Sequence, residues 1–519
     1  MRRCFLVAAL AMAAPAAGTM AWADSLVVTP VAVAGERSPA GGSYFLFGDI
    51  SIDTLKRTTF AASVINGRGG IFQTSRGEIV PLVLQGDPAP PEAGSFFLAF
   101  FEGAANRHGD FAFIATTLPS GRPGVFKGSG GVITSVALAG DLAPTRFGES
   151  FIDFDQLYIL DSGDIYFGGG LFGSERLESR AVFRASSEGL EAVVTPGDHF
   201  DFIREVVEAL QFDVNQSGEL AILTATTEFE NLEPSITFEM LRLSEGRLTS
   251  LAAAGAPIGR NDFLRSFAAT FDQTNIDESG TLSFFGSTDA LPLGGYFENP
   301  LNVPRDNRKL VAQGDPSPVS PADRFLAFGS FARNELGTIA FAATTREVPG
   351  GGFYVQRGGE DFIVAQIGEP RPDGGDVWHG FLRADMGPED SFIFTDRQGV
   401  ALVGIFSGRF LPPPAVLVER LQDILDSAAL NGESVAGLTR QVTAIGRAVD
   451  REDLASALRL SLALRTEIDQ RAGRSVSTST ADELASRLED LILALGGEPG
   501  HPAKPGGGPP RTTRQIHVR

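Results

Sequence analysis

The 519-residue sequence contains very little cysteine, tryptophan, tyrosine or histidine: one Cys, two Trp, five Tyr and five His. A single cysteine excludes a disulfide scaffold and any metal site built from cysteines alone. Basic residues are also in the minority, 43 against 64 acidic residues, and the formal charge is -21. This charge argues against a nucleic-acid partner, because binding to nucleic acid depends on basic residues that neutralise phosphates.

Glycine, proline and phenylalanine are abundant instead, with 61 Gly, 31 Pro and 40 Phe. Hydrophobic residues make up 43% of the chain, which excludes a wholly disordered protein. No segment beyond the N-terminus reaches the roughly 18 consecutive apolar residues that a transmembrane helix needs. We therefore expect several domains or one large repeat array, without a transmembrane segment.

Residues 1–23 have the pattern of a secretory signal peptide. Arg2 and Arg3 precede a short apolar stretch, and the small residues Ala21 and Ala23 form a cleavage site. The lone cysteine, Cys4, precedes the apolar stretch, which argues against a lipoprotein. We expect an exported protein, in the periplasm or outside the cell, that loses its only cysteine on cleavage.

A short apolar run that ends in glycine, usually followed by an acidic residue and a proline, recurs through the chain. Val83-Leu-Gln-Gly86-Asp87-Pro88 is an example. The glycines of the seven copies, spaced 51 to 59 residues apart, are Gly35, Gly86, Gly140, Gly197, Gly255, Gly314 and Gly368. The acids that follow them suit a turn, in which Asp bonds to its own backbone, better than a catalytic centre, because catalysis needs one site and not seven.

A second set of turns keeps the same spacing. Asn or Asp precedes a glycine and an alternating strand in each of them, and the glycines are Gly109, Gly163, Gly218, Gly280 and Gly337. A third landmark, Gly-Ile-Phe or a similar triplet, begins a further strand at Gly70, Gly124, Gly352 and Gly404. Each unit therefore contains about four short strands, as in a blade of a β-propeller.

The fold that we predict is mainly β, a seven-bladed β-propeller over residues 24–410. The last unit lacks its fourth strand, and an unpaired apolar segment, residues 26–34, stands at the other end of the domain. Pairing the two would close the ring by strand exchange between the termini and remove the open edge. Six or eight blades remain alternatives, because the fourth and fifth units are degenerate.

The composition changes after a proline linker at residues 411–414. Leucine and alanine recur at helical spacing over residues 415–497, which predicts a small bundle of three to four helices. Thr480 and Glu483 form a capping box that predicts the start of the last helix. Residues 498–519 are basic and rich in Gly and Pro, and we expect them to be disordered.

These motifs carry a resemblance. The repeated Val-Ala-x-x-Gly-Asp-x-x-Pro segment, with Asn-x-x-Gly and Gly-Val-Phe after it, resembles an uncharacterised family of exported bacterial tandem-repeat propeller proteins of the choice-of-anchor type. Residues 417–426 and the helices after them resemble the FIMAH domain found at the ends of such proteins. The resemblance covers residues 26–410 and 415–495. It implies a secreted propeller without an assigned reaction, and it transfers no catalytic residues.

Two segments place oxygen-bearing side chains at alternate positions before a glycine, as in the first half of a calcium loop. Their residues are Asp213, Asn215 and Ser217, and then Asn275, Asp277 and Ser279. The first segment also resembles the FG-GAP repeats of integrin propellers, but Ala221 stands where those loops place an acid. Ordinary Asx turns explain the same residues without a metal. Binding of Ca²⁺ at these half-loops remains an alternative, and we expect no other cofactor.

Two functions remain in view. The sequence favours an exported, non-catalytic binding or scaffold protein with a surface glycan or an envelope protein as partner, because no concentrated polar motif appears. The alternative is a hydrolase or lyase that acts on extracellular polymers in the central funnel of the propeller. The histidines His108, His199 and His379 fall in loops without a recognisable nucleophile motif, so they identify no catalytic residue.

Overall fold

The computed structural model describes most of the chain from residue 25 onward. The described residues are 25–75, 77–173, 179–200, 204–230, 233–253, 256–258, 262–267, 274–288, 291, 294–300, 307–348, 350–374, 377–398, 401–430, 435–451, 453–495 and 514–517. The expected signal peptide, residues 1–23, lies outside the described residues. So does Gly255, one of the seven repeated glycines.

The first half of the chain forms antiparallel strands that follow one another in short meanders. The N-terminal strand is β1 (Ser25–Val33). The first meander contains β2 (Ser43–Ile52), β3 (Thr58–Ile65), β4 (Gly70–Ser75) and β5 (Glu78–Leu84). The second contains β6 (Phe96–Ala105), β7 (Phe111–Leu118), β8 (Pro123–Ser129) and β9 (Val132–Leu138). The third contains β10 (Ser150–Ile159), β11 (Ile165–Phe172), β12 (Ser179–Ser186) and β13 (Gly189–Val194).

The same pattern continues to residue 411. The next sheet contains β14 (Arg204–Val214), β15 (Leu220–Glu230), β16 (Glu233–Ser244) and β17 (Arg247–Ala253). It is followed by β18 (Pro257–Ile258), β19 (Asp262–Phe267), β20 (Thr274–Ile276), β21 (Leu282–Thr288), β22 (Gly295–Asn299) and β23 (Arg308–Ala312). The last strands are β24 (Phe325–Arg333), β25 (Ile339–Thr345), β26 (Gly352–Arg357), β27 (Glu360–Gln366), β28 (Phe381–Met386), β29 (Ser391–Gln398) and β30 (Ala401–Leu411).

The N-terminal strand pairs with the last strand of the meanders. β1 runs antiparallel to β30, from Ser25 opposite Leu411 to Val33 opposite Gly404. β1 therefore completes the sheet of β28, β29 and β30 as a fourth strand. This pairing covers an edge that would otherwise expose unpaired backbone groups.

The innermost strands of the sheets contact one another in turn and close a ring. β2 contacts β6, β6 contacts β10, and the series continues through β14, β20, β24 and β28 back to β2. Aromatic side chains fill the space between neighbouring sheets. Phe97, Phe113 and Phe126 of the second meander pack against Ile71 and Val83 of the first. The predicted mainly β, propeller architecture is confirmed, and it explains the high phenylalanine content.

The repeated Gly-Asp segments are turns between one sheet and the next. Their described glycines have φ between 84° and 90°, a conformation that favours glycine: Gly35, Gly86, Gly140, Gly197, Gly314 and Gly368. Asp87 Oδ2 accepts a hydrogen bond of 2.9 Å from Leu84 N, three residues earlier. Asp198 bonds in the same way to Thr195 N at 2.7 Å. The structural interpretation of these acids is confirmed.

Within the described residues, four helices follow the strands: α1 (Pro414–Leu430), α2 (Ala436–Asp450), α3 (Leu454–Arg471) and α4 (Thr478–Ala494). Their shared core contains leucines that the helical spacing predicted, such as Leu421, Leu438 and Leu488. We call residues 414–494 the helical module. None of the described helices is both long and apolar enough to cross a membrane.

The predicted start of the last helix was wrong by one turn. α4 begins at Thr478, and Ser477 is its N-cap, whose Oγ accepts from Thr480 N at 3.1 Å. Either hydroxyl can cap a helix, and the sequence contains several in a row. The linker is also shorter than expected, because β30 ends at Leu411 and α1 begins at Pro414.

Part of the C-terminal segment that we expected to be disordered forms a strand. β31 (Arg514–His517) runs antiparallel to β1, with Ser25 opposite His517 and Val28 opposite Arg514. β1 already pairs with β30 on its other side, so β31 lies along its remaining edge. An open strand edge accepts backbone hydrogen bonds whatever the side chains are, so composition did not predict this strand.

Candidate functional site

A cavity of about 360 Å³ lies in the centre of the ring. Residues of the innermost strands β2, β6, β10, β14, β20, β24 and β28 line it, together with the turns that follow these strands. Those turns contain Gly109, Gly163, Gly218, Gly280 and Gly337, all with φ between 78° and 87°. We call this side of the ring the Asn-turn face, and the opposite side, which carries the Gly-Asp turns, the Gly-Asp face.

The lining of the central cavity is strongly acidic. Among the described residues it contains two arginines, Arg333 and Arg383, and nine carboxylates: Asp49, Asp53, Glu102, Asp161, Asp213, Asp277, Glu278, Glu335 and Asp385. Arg383 pairs with Asp49 at 2.9 Å. Arg333 pairs with Asp277, the two side chains being almost completely buried.

Several of these side chains join one sheet to the next. Glu102 Oε1 on β6 accepts from Leu157 N on β10 at 2.7 Å. Asp213 Oδ2 on β14 accepts from Ile276 N on β20 at 2.8 Å, and Asp385 Oδ2 on β28 accepts from Ile52 N on β2 at 2.9 Å.

The inter-sheet hydrogen bonds have a simple physical cause. The innermost strand is the inner edge of its sheet, and backbone N–H groups on such an edge lack a neighbouring strand. A side-chain oxygen from the preceding sheet satisfies them. The amide Gln156 does the same, its Oε1 accepting from Phe212 N at 2.8 Å. These carboxylates therefore hold the ring together.

Asp213 is a buried carboxyl group of the cavity with a raised pKa. Burial is the main cause that raises the pKa of Asp213, and the charges of Asp385 and Glu278 act in the same direction. The hydrogen bonds from the Ile276 and Val214 amides oppose them, and the resulting pKa is about 7. Burial also raises the pKa of Glu278. A carboxyl group with a pKa near neutrality is able to give or take a proton at physiological pH. Asp213 is therefore the group in the cavity best suited to acid–base chemistry.

The two predicted calcium half-loops lie side by side on neighbouring sheets. Asn275 Nδ2 donates to Asp213 Oδ2 at 3.0 Å, and Asn215 Nδ2 donates to the carbonyl oxygen of Asp277 at 3.1 Å. The structure thus brings the six predicted residues into two adjacent turns, and it turns the Asp213 carboxylate toward the neighbouring sheet.

Hydrogen bonds within the turns occupy the oxygens proposed as ligands. Asn215 Oδ1 accepts from Ser217 Oγ at 2.7 Å and from Glu219 N at 3.0 Å. Asp277 Oδ1 accepts from Ser279 N and Thr281 N, both at 2.9 Å. In the described part of the chain, no group of three or more His, Cys, Asp or Glu is arranged to hold a metal. Calcium binding stays a prediction, and Asx turns explain these contacts.

The described histidines do not line the central cavity. His379 follows the buried Trp378, and its backbone N donates to Asp396 Oδ1 at 2.9 Å. His199 is 60% exposed on the Gly-Asp face, with its Nε2 3.8 Å from Glu205. His501 lies outside the described residues, as does the side chain of His517.

No sequence motif indicated the cavity carboxylates Glu102, Asp385 and Glu278. Their common signal is their position, within or just after the strand that precedes a turn of the Asn-turn face. An acid at such a position does not stand out in this sequence, because 64 acidic residues are spread along it. Only the closure of the ring brings them together.

The helical module packs on the Asn-turn face beside this cavity. Asp490 of α4 is 2% exposed and accepts hydrogen bonds from Lys56 at 2.8 Å and Arg409 at 2.5 Å. Glu389 of the ring pairs with Lys56 and with Arg420 of α1, both at 3.2 Å. Val27 and Leu411 of the ring pack against Leu493 of α4. Arg487 of α4 also pairs with Glu389. We call the charged residues Lys56, Glu389, Arg409, Arg420, Arg487 and Asp490 the docking cluster.

Comparison with known proteins identifies a family but no activity. The sequence matches the family described as "Family of unknown function (DUF7453)" over residues 11–123 and 118–438. A comparison with curated proteins finds no match.

Solved structures that are similar to the chain include other propellers. The β-propeller domain of the Trilobed protease from Pyrococcus furiosus has 8% identity and a TM-score of 0.40, and the match covers 70% of this chain and 97% of that one. An ulvan lyase of polysaccharide lyase family PL25 has 9% identity and a TM-score of 0.36, and the match covers 74% of this chain and 94% of that one. The arabinofuranosidase Arb93A from Fusarium graminearum has 9% identity and a TM-score of 0.33, over 74% and 98%. At these values no activity carries over.

Proposed function

Because the chain belongs to DUF7453, a family of unknown function, we propose its role from its own geometry: an exported, non-catalytic binding or scaffold protein. One observation carries this proposal. The cavity carboxylates Glu102, Asp213 and Asp385 accept hydrogen bonds from backbone amides of the next sheet. Groups that hold the ring together in this way are not free to act on a substrate. The partner that we propose is a surface glycan or an envelope protein.

We propose that the ring has seven blades, closed by exchange of strand β1. The count treats the nine-stranded sheet as two blades, β2 to β5 and β28 to β30 with β1. The narrow connection between these two parts supports this division. In the described residues, the pairing of β2 with β30 consists of Phe47 opposite Leu402. Each of the other sheets supplies one blade.

The roles of the termini are also proposals. Export rests on the signal-peptide pattern of residues 1–23, and N-terminal sequencing of the secreted protein tests it. The resemblance of the helices to a FIMAH or anchoring module stays a prediction. The docking cluster supports a helical module that is attached to the surface of the ring. Asp490 makes its contacts with the ring from α4, and α2 and α3 take no part in those contacts.

A specific observation favours the alternative, an extracellular polymer hydrolase or lyase. Asp213 has a pKa near 7 and lines a cavity of about 360 Å³. A general acid or base with such a pKa is what hydrolysis or β-elimination requires. In this hypothesis Asp213 transfers the proton, and its pKa is raised by burial first and by the charges of Asp385 and Glu278 from other sheets second.

The two functions are separated by a capture experiment and an activity assay. The full chain, immobilised, is offered an envelope extract and a panel of neutral and acidic polysaccharides, and we expect retention without depolymerisation. The matched variant is Asp213→Asn, with Glu335→Gln in the same cavity as control. Release of reducing or unsaturated ends by the native chain, abolished in Asp213→Asn and retained in Glu335→Gln, would establish the enzyme and exclude the scaffold.

A further inference from the structure

Three consecutive glycines, residues 168–170, stand in the middle of strand β11. Glycine inside a strand weakens it and commonly marks the close approach of another group. The middle glycine, Gly169, faces the buried rings of Phe151 and Phe183, whereas the groups that approach the other two are carboxylates of β10. A Cβ atom on Gly170 would lie 2.2 Å from Asp153 Oδ1, and one on Gly168 would lie 2.2 Å from Asp155 Oδ1. The glycines leave the space in which both aspartate side chains lie across the sheet.

One arginine connects the two carboxylates. Arg180 on β12 is directly opposite Gly170, so its side chain emerges on the same face of the sheet. Its Nη1 donates to Asp155 Oδ2 at 2.6 Å, and its Nη2 donates to Asp153 Oδ1 at 3.2 Å. The guanidinium therefore fixes both carboxylates in one arrangement.

Stability alone does not explain this arrangement. The side chains of Arg180, Asp153 and Asp155 are 30%, 51% and 39% exposed. Ion pairs with such exposure contribute about 0 to 1 kcal/mol each. Each strand-interior glycine costs about 0.5 to 1 kcal/mol relative to alanine. The two glycines beneath the carboxylates, Gly168 and Gly170, thus offset what the two ion pairs contribute, and the exposed polar groups gain little net stability for the sheet.

Apolar side chains flank the three charged residues. Phe172 lies two residues beyond Gly170 on the same face of β11, and it is 52% exposed. Ile152 is 39% exposed, and its Cγ1 lies 3.0 Å from the position of a Cβ on Gly170. We call Ile152, Asp153, Asp155, Phe172 and Arg180 the Asp-Arg patch. Because β10 begins and β11 ends here, the patch lies toward the Gly-Asp face, away from the helical module.

We infer that the Asp-Arg patch binds a neutral carbohydrate chain. The inference rests on the proposed binding function and names its ligand class. Carboxylate oxygens accept hydrogen bonds from sugar hydroxyls, and the guanidinium of Arg180 donates hydrogen bonds to sugar oxygens. Each of these bonds is charge-assisted. The exposed ring of Phe172 offers an apolar surface for the C–H face of a sugar ring. The chemistry of the patch therefore matches both kinds of surface that a sugar presents.

The charges of the patch disfavour anionic polymers, metal ions and apolar protein segments. Asp153 and Asp155 repel an anionic polymer, and the fixed cation of Arg180 between them disfavours a metal ion. An apolar protein segment would leave the carboxylates and the guanidinium without hydrogen-bond partners. A neutral polyhydroxylated chain meets none of these three obstacles.

The test is isothermal titration calorimetry of the full chain with cellohexaose, mannohexaose, xylohexaose and laminarihexaose, and with polygalacturonate as the anionic probe. We expect at least one neutral probe to bind, and its affinity to fall at least 10-fold in Arg180→Ala and in Phe172→Ala. The matched controls are Arg68→Ala, which removes an exposed ion pair with Asp87 in turns outside the patch, and Phe238→Ala, an exposed ring on β16. Both controls should bind as the native chain does.

A further variant keeps the test valid if Arg180→Ala fails to fold. Gly170→Ala leaves every charge in place but displaces the Asp153 carboxylate, and it should weaken binding to a similar degree. Thermal melting identifies a variant that does not fold. No binding of any neutral probe, tighter binding of polygalacturonate, or equal binding by native chain and patch variants would overturn the inference.

The same experiment keeps this inference distinct from the proposed function. Cleavage of a bound probe would refute the non-catalytic role but leave the patch as the sugar site. Capture of an envelope protein, with no affinity for any sugar, would leave the binding role intact and refute the patch.

Discussion

Replacing Asp490 by alanine should release the helical module from the ring. Asp490 is 2% exposed, and it is the carboxylate shared by Lys56 and Arg409. The side chains of Lys56 and Arg409 are 10% and 16% exposed, so water can solvate their charges only in part once the carboxylate is gone. Removal of one partner from a buried ion pair destabilises by about 3 to 5 kcal/mol. Glu389 remains 3.2 Å from Lys56, so we expect the lower end, about 3 kcal/mol.

The assay combines chemical denaturation with limited proteolysis of the full chain. Proteolysis should cut Asp490→Ala within the helical module under conditions in which the native chain resists. The control is Asp423→Ala on α1, an exposed aspartate, for which we expect a change within about 0.5 kcal/mol. A loss below about 1 kcal/mol for Asp490→Ala, or the same protection as in the native chain, would refute the reasoning that the docking cluster holds the module.

The pH dependence of this variant is a second readout. Burial lowers the pKa of Lys56 to about 8, although the charge of Asp490 opposes the shift. Between about pH 8 and pH 10.5 the unfolded state therefore binds more protons at Lys56 than the folded state does, and the unfolding free energy rises with pH. In Asp490→Ala, Lys56 loses its proton more easily, so the deficit relative to the native chain should be smaller at high pH than at pH 6.5.

Three further changes test other parts of the structure. Because burial raises the pKa of Asp213 to about 7, the folded state retains a proton that the unfolded state releases above its ordinary pKa of 3.8. The unfolding free energy should therefore fall across that window as pH rises, by up to ~1.4 kcal/mol per pH unit, and urea denaturation of Asp213→Asn should lose this slope. If the half-loops at Asn215 and Asp277 are Asx turns, excess EDTA should leave the melting temperature unchanged, and a rise on adding Ca²⁺ would contradict that interpretation. Gly314 has φ of 86°, so Gly314→Ala should destabilise by about 1 to 2 kcal/mol in the same urea assay, and an unchanged midpoint would argue against the turn.

Much of the ring could be predicted because its signals are local. A glycine with positive φ, such as Gly86, and an aspartate that bonds back to its own turn, such as Asp87, depend on a few neighbouring residues. The alternation of buried Phe with other residues can be recognised within the sequence of a single strand. The helices could likewise be predicted from the leucine spacing. The predicted start of α4 was wrong by one turn because the hydroxyl groups near Ser477 can all cap a helix equally well.

The candidate site could not be predicted in the same way. Asp213 appeared in the sequence as part of a calcium half-loop, but in the folded chain its carboxylate accepts from Ile276 on the neighbouring sheet. Asp153 and Asp155 are separated from Arg180 in the chain by strand β11, and only the pairing of β10, β11 and β12 brings the three side chains together. Which oxygens meet depends on register and on the closure of the ring.

The amino-acid sequence by itself determined the repeated turns, the alternating strands, the helical end of the chain and the acidic character, because each is a property of neighbouring residues. Only the tertiary structure decided that Lys56 and Asp490 meet at a buried interface, that carboxylates from different sheets surround one cavity, and that Asp153 and Asp155 lie over glycines beside Arg180. Those contacts join residues that are distant in the chain, and burial and opposing charge act on them only once folding has brought them together.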